Sequence, residues 1–181
     1  MRLPKTLAAM TAAVALTTLT GCGGEGDSGP LAAFGLPKAD TMAAVEQLIN
    51  KNGPACRELE PGIGRKAEER LKDPSAFAVK ETATCKAGRE EYTTLVLLSD
   101  MKKFQEANKK ALEADPDFDT SYFVGQNFAV DAGNDDAARK MKSAGLALMV
   151  CDPKFKAEIP SGYKISEELV KGCFVTDYLP S

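Results

Sequence analysis

Four cysteines set the strongest constraint on this chain. Cys56, Cys85, Cys151 and Cys173 lie in its body, and a fifth, Cys22, stands apart behind an apolar run. That run, Leu7 to Leu19, is interrupted only by Thr11, Thr17 and Thr18 and follows the basic residues Arg2 and Lys5. Its thirteen residues are fewer than the roughly 20 needed to span a bilayer. They have the length and flank of a secretory h-region. Export places a chain where thiols oxidise, so an even set of cysteines reads as disulfides. No Cys-x-x-Cys occurs, which leaves a redox motif or zinc ribbon without support. Four cysteines allow three pairings. Closure between sequence neighbours, Cys56–Cys85 and Cys151–Cys173, is the simplest and is expected. Each closes a loop of about 25 to 30 residues and contributes roughly 3 kcal/mol.

The segment Leu19-Thr20-Gly21-Cys22 resembles the lipobox of bacterial lipoproteins. The small pair Thr20-Gly21 lets a peptidase reach the bond before Cys22, and threonine stands where alanine or serine is commoner. The resemblance implies that residues 1–21 are a signal peptide and that Cys22 becomes the acylated first residue. It further implies anchoring in the cell membrane, on its extracytoplasmic face, with the lipid bilayer as a partner. Each buried CH₂ of the acyl chains contributes roughly 0.8 kcal/mol, so two or three chains hold stably.

Arg2 and Lys5 account for two of the 23 basic residues, and the signal segment has no acidic ones. The remaining 21 face 26 Asp+Glu, a net charge of −5. An acidic surface argues against nucleic acid as partner, because phosphate binding needs clustered Lys and Arg. The chain has no histidine, which removes Ser-His-Asp and Cys-His catalysis and histidine-ligated zinc. Neither a P-loop nor a dinucleotide fingerprint is present, and no cofactor is expected.

Residues 22–39 are glycine-rich and polar in their first half and read as a flexible tether, with Phe34 and Leu36 able to dock. A single domain is expected over 40–181. Asp40 or Thr41 caps a helix carrying Met42, Val45, Leu48 and Ile49, ended by Asn52-Gly53-Pro54. A short helix follows over about 64–71. Phe77 to Cys85 and Tyr92 to Leu98 read as a hairpin turned by Lys86-Ala87-Gly88-Arg89. Ser99 or Asp100 caps the strongest helix, buried along Met101, Phe104, Asn108, Ala111 and Leu112. Its lysines, Lys102, Lys103, Lys109 and Lys110, form a solvated face. Tyr122 to Val130 reads as one strand with a bulge at Gly125. Asn134 caps a helix over Asp135–Ser143, and Leu146 to Cys151 is a fourth strand. A last short helix is expected from Ser166 to Gly172. The order is α-α-β-β-α-β-α-β: an α+β fold with a four-stranded, mostly antiparallel sheet, helices on one face and two disulfides.

Several of these features together are similar to small secreted lipoproteins of the actinobacterial type. They are the helix running into Gly53-x-x-Cys56, the strand ending at Cys85, and the Leu95-to-Ser99 strand leading to Asp100 and Phe104. The last is Val124-Gly125-Gln126-Asn127-Phe128-Ala129-Val130, which resembles a Val-Gly-x-Asn-Trp-x-Val motif with Phe128 at the aromatic position. The resemblance implies no particular activity.

One segment reads as an acidic loop leaving the helix or as a metal site. Asp115, Asp117 and Asp119 alternate as do the first ligands of a calcium loop, although Thr120 replaces the turn glycine and Gln126 the bidentate glutamate. Glu90/Glu91, Asp135/Asp136 and Glu167/Glu168 are sequence neighbours and do not face one another. With no catalytic motif, the chain reads as a non-catalytic binding or interaction module of the cell envelope, meeting an envelope protein or a small ligand. The alternatives are an envelope enzyme using carboxylate, tyrosine or lysine chemistry, or a calcium-modulated module.

Overall fold

Every strand formed by the described residues joins one sheet, and every strand pair in it is antiparallel. The computed structural model describes residues 29–52, 55–86, 91–167 and 169–180. In chain order the elements are α1 (Pro30–Phe34), α2 (Met42–Ile49), β1 (Arg57–Pro61), α3 (Arg65–Arg70), β2 (Val79–Lys86), β3 (Tyr92–Leu98) and α4 (Met101–Ala114). They continue with β4 (Tyr122–Val124), β5 (Phe128–Asp131), α5 (Asp135–Ser143), β6 (Ala147–Val150), α6 (Pro153–Glu158), β7 (Ile165–Glu167) and β8 (Phe174–Thr176). The sheet has eight strands in the order β1-β2-β3-β5-β4-β6-β8-β7. Among the described residues no helix is long and apolar enough to cross a membrane.

The four-stranded expectation is therefore corrected to eight. Part of the difference lies at Gly125-Gln126-Asn127, which turns the chain instead of bulging it. Gly125 N–H donates to the Phe128 carbonyl at 3.0 Å and Gln126 N–H to the Pro37 carbonyl at 2.8 Å. The Asn127 amide brackets Ala39, accepting its N–H at 3.0 Å and donating to its carbonyl at 2.7 Å. A Cβ on residue 125 would lie 2.2 Å from the Phe128 ring and 2.5 Å from the Pro37 oxygen, so no side chain fits. What read as one long strand is β4 and β5 folded on each other. β1 is a charged strand on the sheet edge, and the tail supplies β7 and β8 where a helix from Ser166 was expected. The tail's helix is α6, further upstream.

Both crossovers, β3-α4-β4 and β5-α5-β6, step over one intervening strand in the same direction across the sheet. Their parent strands run oppositely. A single right-handed rule then sends the two helices to opposite faces, correcting the expectation of helices on one face. Two cores result. Leu95, Leu97, Phe123, Phe128 and Val130 pack with α2 and α5 on one side. Val96, Leu98, Tyr122, Val124 and Ala129 pack with Phe104 of α4 and Leu31 and Leu36 of the α1 segment on the other. Val79 belongs to the second core and Ala83 and Cys85 to the first, because the ladder slips by one residue between Val79 and Glu81. A one-residue slip exchanges the faces of a strand.

Three helices, α2, α4 and α5, start at expected side-chain caps. Thr41 accepts from Ala44 N–H at 3.2 Å, Asp100 from Lys103 N–H at 3.0 Å and Asn134 from Ala137 N–H at 2.8 Å. The Asn134→Ala variant is expected to lose about 1 kcal/mol in urea unfolding; an unchanged midpoint would contradict the cap. On α4, Lys102 and Lys109 approach Glu106 and Glu113 at 3.8 and 3.9 Å, as a solvated face would.

Residues 29–39, the later part of the segment whose Phe34 and Leu36 were read as able to dock, pack against the domain. Leu31, Leu36 and Ala39 are buried, and α1 ends at Gly35 in the left-handed region (φ 88°). The apolar residues in that half of the segment explain the docking. The signal segment with Cys22, the terminator Gly53-Pro54 and the turn at 87–90 lie outside the described residues.

The cysteines pair as neighbours. Cys56 and Cys85 are bonded, with Cα atoms 5.2 Å apart, and Cys151 and Cys173 with Cα atoms 3.9 Å apart. The first ties the segment entering edge strand β1 to the end of β2, the second the end of β6 to the residue before β8.

Candidate functional site

One row of cross-strand neighbours changes character partway across the sheet. Thr84 of β2 opposes Thr94 of β3, which opposes Asp131 of β5. Tyr122 of β4 follows one position beyond the Phe123–Val130 pair and opposes Met149 of β6. Met149 opposes Val175. The row is polar at β2, β3 and β5 and apolar from β6 onward. These side chains share the face that carries α4, but the apolar packing of that face ends before it reaches Thr84 and Thr94. This polar end, where Thr94 and Asp131 are themselves buried, lies at the base of a cleft.

The cleft measures about 670 Å³ and is floored by Thr84, Thr94 and Asp131. Arg65, Lys66 and Glu69 of α3 form one wall, and Glu91 and Tyr92 stand at the rim. Gly64, the residue before α3, lies directly against the floor: a Cβ there would meet Thr94 Oγ1 at 2.8 Å and Thr84 Cγ2 at 3.4 Å. Glu91 accepts a hydrogen bond from the Asn134 amide, so the residue that caps α5 also fixes this part of the rim. Tyr92 is 55% exposed, an aromatic ring presented at the mouth.

Asp131 of the floor is one partner of a buried ion pair. Arg70 Nη1 is 3.1 Å from Asp131 Oδ2 and 3.4 Å from Asp119 Oδ2. Arg70 Nη2 donates to the Ser121 carbonyl at 2.8 Å, and the guanidinium carbon sits 3.9 Å from the centre of the Tyr122 ring. Both Arg70 and Asp131 are buried. Burial pushes the Asp131 carboxyl above its ordinary 3.8, and Arg70 only partly opposes this. Burial likewise pushes the Tyr122 phenol above 10.0. Tyr122 therefore stays protonated at neutral pH, and its hydroxyl has no hydrogen-bonding partner among the described residues.

The raised Asp131 value has a consequence for stability. The folded carboxyl binds a proton more readily than the unfolded one, so its contribution to stability falls as pH rises from about 3.8 through the raised folded value, then levels off. Glu58, Asp73, Asp136 and Glu167 are held below their ordinary values by ion pairs and hydrogen bonds and act in the opposite sense. The difference in unfolding free energy between the parent and Asp131→Asn isolates the residue. That difference is expected to decline with rising pH across this window; a rise would contradict the assignment.

The alternating acids of residues 115–119 make separate local contacts. Asp115 accepts the Asp117 N–H at 3.1 Å, and Asp119 accepts the Ser121 N–H at 2.8 Å while facing Arg70. Thr120, at the turn position of the motif, is buried and accepts the Cys151 N–H at 3.0 Å, drawing the chain toward the sheet. Among the described residues no three His, Cys, Asp or Glu side chains gather as a metal set. Of the expected site residues, Cys22 lies outside the described residues, and Asp119 alone reaches the ion pair at the cleft floor.

Sequence reasoning did not single out Arg70, Asp131, Thr84 or Thr94. One signal was present. Asp131 closes the apolar run Phe128-Ala129-Val130 in the phase of Ala129, which places a carboxylate on a covered face.

No protein-family model matches the chain, and no curated protein or solved structure matches it.

Proposed function

We propose that this chain is a lipid-anchored extracytoplasmic lipoprotein whose α+β domain is a non-catalytic binding module of the cell envelope. It takes a small polar ligand in the cleft beneath α3. The observation that carries the reading is the placement of that cleft. Gly29, where the chain arriving from Cys22 joins the domain, lies beside Ser99, Gln126 and Asn127, at one end of the strands. The cleft residues Thr84, Tyr92 and Asp131 lie at the other end. An anchored receptor needs this polarity.

The volume falls within the 300–1,000 Å³ typical of small-ligand sites. Threonine hydroxyls, a carboxylate, two cationic side chains and an exposed tyrosine suit a hydroxylated or zwitterionic molecule, such as a sugar or an amino acid. Asp131 is engaged by Arg70, so the buried carboxylate reads as a fixed acceptor and not as an acid–base catalyst. Ligand-observed NMR of the full-length protein with sugars, polyols and amino acids tests the reading. At least one is expected to show saturation transfer that Tyr92→Ala and Lys66→Ala weaken. Transfer that neither substitution alters, or none from any of these compounds, would overturn the cleft assignment.

A further inference from the structure

Four large apolar side chains stand exposed among the described residues: Tyr92 (55%), Tyr163 (42%), Ile165 (40%) and Leu169 (37%). Tyr92 belongs to the cleft. Ile165 and Leu169 each border α1, which docks toward the opposite end of the sheet. Pro30 borders one hollow with Ile165 and another with Leu169. Tyr163 precedes Ile165, its ring 5.6 Å from Lys142 Nζ, near the end of α5. Lys164 lies beside Pro30 and Phe34. Of the acids on these segments, Glu167 is paired with Lys156 at 2.6 Å, Asp177 accepts the Lys164 N–H at 2.8 Å and Asp100 caps α4.

We infer that this end of the domain rests on the bilayer surface, with Tyr163, Ile165 and Leu169 in the interface and Lys142 and Lys164 toward anionic headgroups. The inference rests on the lipid-anchor reading proposed above. Seven peptide steps separate Cys22 from Gly29. Their covalent reach is at most about 25 Å whatever path they take, so the domain cannot leave the membrane's vicinity. The apolar end is the end to which that short connection is attached. Tyrosine and aliphatic side chains with flanking lysines are the composition that partitions into an interface. Lysines near an anionic leaflet are drawn to its negative surface potential. β3 runs from Tyr92 at the cleft to Leu98 at this end, about 20 Å at the rise of a strand. Resting on this end therefore lifts the cleft clear of the headgroups.

The chain has no tryptophan, so one introduced tryptophan reports its own surroundings. Full-length lipidated protein carrying Leu169→Trp, Ile165→Trp or Tyr92→Trp would be reconstituted into phosphatidylcholine–phosphatidylglycerol vesicles with brominated acyl chains. The first two are expected to shift to shorter wavelength and lose most of their emission relative to unbrominated vesicles, and the third to keep its emission. Acylated protein that floats with vesicles while Leu169→Trp and Ile165→Trp stay unquenched would overturn this inference and leave the anchor standing. Blue-shifted but unquenched emission would mean burial against a second copy and would overturn it too. Equal quenching at all three sites would exclude a fixed orientation. Cys22 without an acyl group, and protein that does not float, would overturn the anchor and this inference together.

Discussion

The Arg70→Met variant is expected to unfold about 3–5 kcal/mol more easily than the parent near neutral pH, because Asp131 stays buried without its cation. Arg70 makes the ion pair with Asp131, the 2.8 Å hydrogen bond to Ser121 and the stacked contact with Tyr122. Methionine fills much of the volume and replaces none of these. The loss is expected to shrink in acid, where the uncompensated carboxyl takes up a proton instead of remaining charged. Arg70→Met with Asp131→Asn should recover part of the loss, since residues in one network are not additive. Urea unfolding of the three variants at two pH values measures all of this. Equal and additive losses at both pH values would show that the pair carries no coupled charge.

Removing the Cys151–Cys173 bridge by Cys151→Ala and Cys173→Ala is expected to cost about 3 kcal/mol, within the 2–5 kcal/mol usual for a native disulfide. The bridge closes a separation of 22 residues, and the Cys56–Cys85 bridge one of 29. The chain-entropy account makes the two losses nearly equal, because the effect grows only with the logarithm of loop length. Their local consequences differ. Without Cys151–Cys173, β7 and β8 are held to the sheet chiefly through the β6–β8 ladder. Amide exchange in Phe174–Thr176 should therefore accelerate more than in the β2–β3 ladder. Without Cys56–Cys85 the loosening should centre on β1. Exchange that accelerates uniformly in both variants would contradict this division.

Much of the fold could be read from residue pattern, and the reasons are local. Thr41, Asp100 and Asn134 are caps whose chemistry depends on three following residues, and each begins a helix in the structure. β3 is seven residues long and buried on both faces at its end, so its signal is strong. The cysteine pairs followed from proximity in sequence. What escaped was short or distant. β4, β7 and β8 have three residues each, too few for an alternation to show. β1, Arg-Glu-Leu-Glu-Pro, looks like a charged loop because an edge strand buries almost nothing. The turn at Gly125 depends on Pro37 and Ala39, which dock from the far end of the chain. The cleft was invisible for the same reason. Thr84, Thr94 and Asp131 meet only once the ladder register is known, and Arg70 reaches Asp131 only because α3 folds back over β5.

The chain is read as a domain tethered close to a bilayer by Cys22, with its cleft held away from it. Intact mass analysis of the mature protein from membranes of an expressing bacterium tests that most directly. The expected result is a chain beginning at Cys22 and carrying a diacylglyceryl group, absent from Cys22→Ser. A chain that retains residues 1–21, or one beginning at Cys22 with a free thiol, would contradict it.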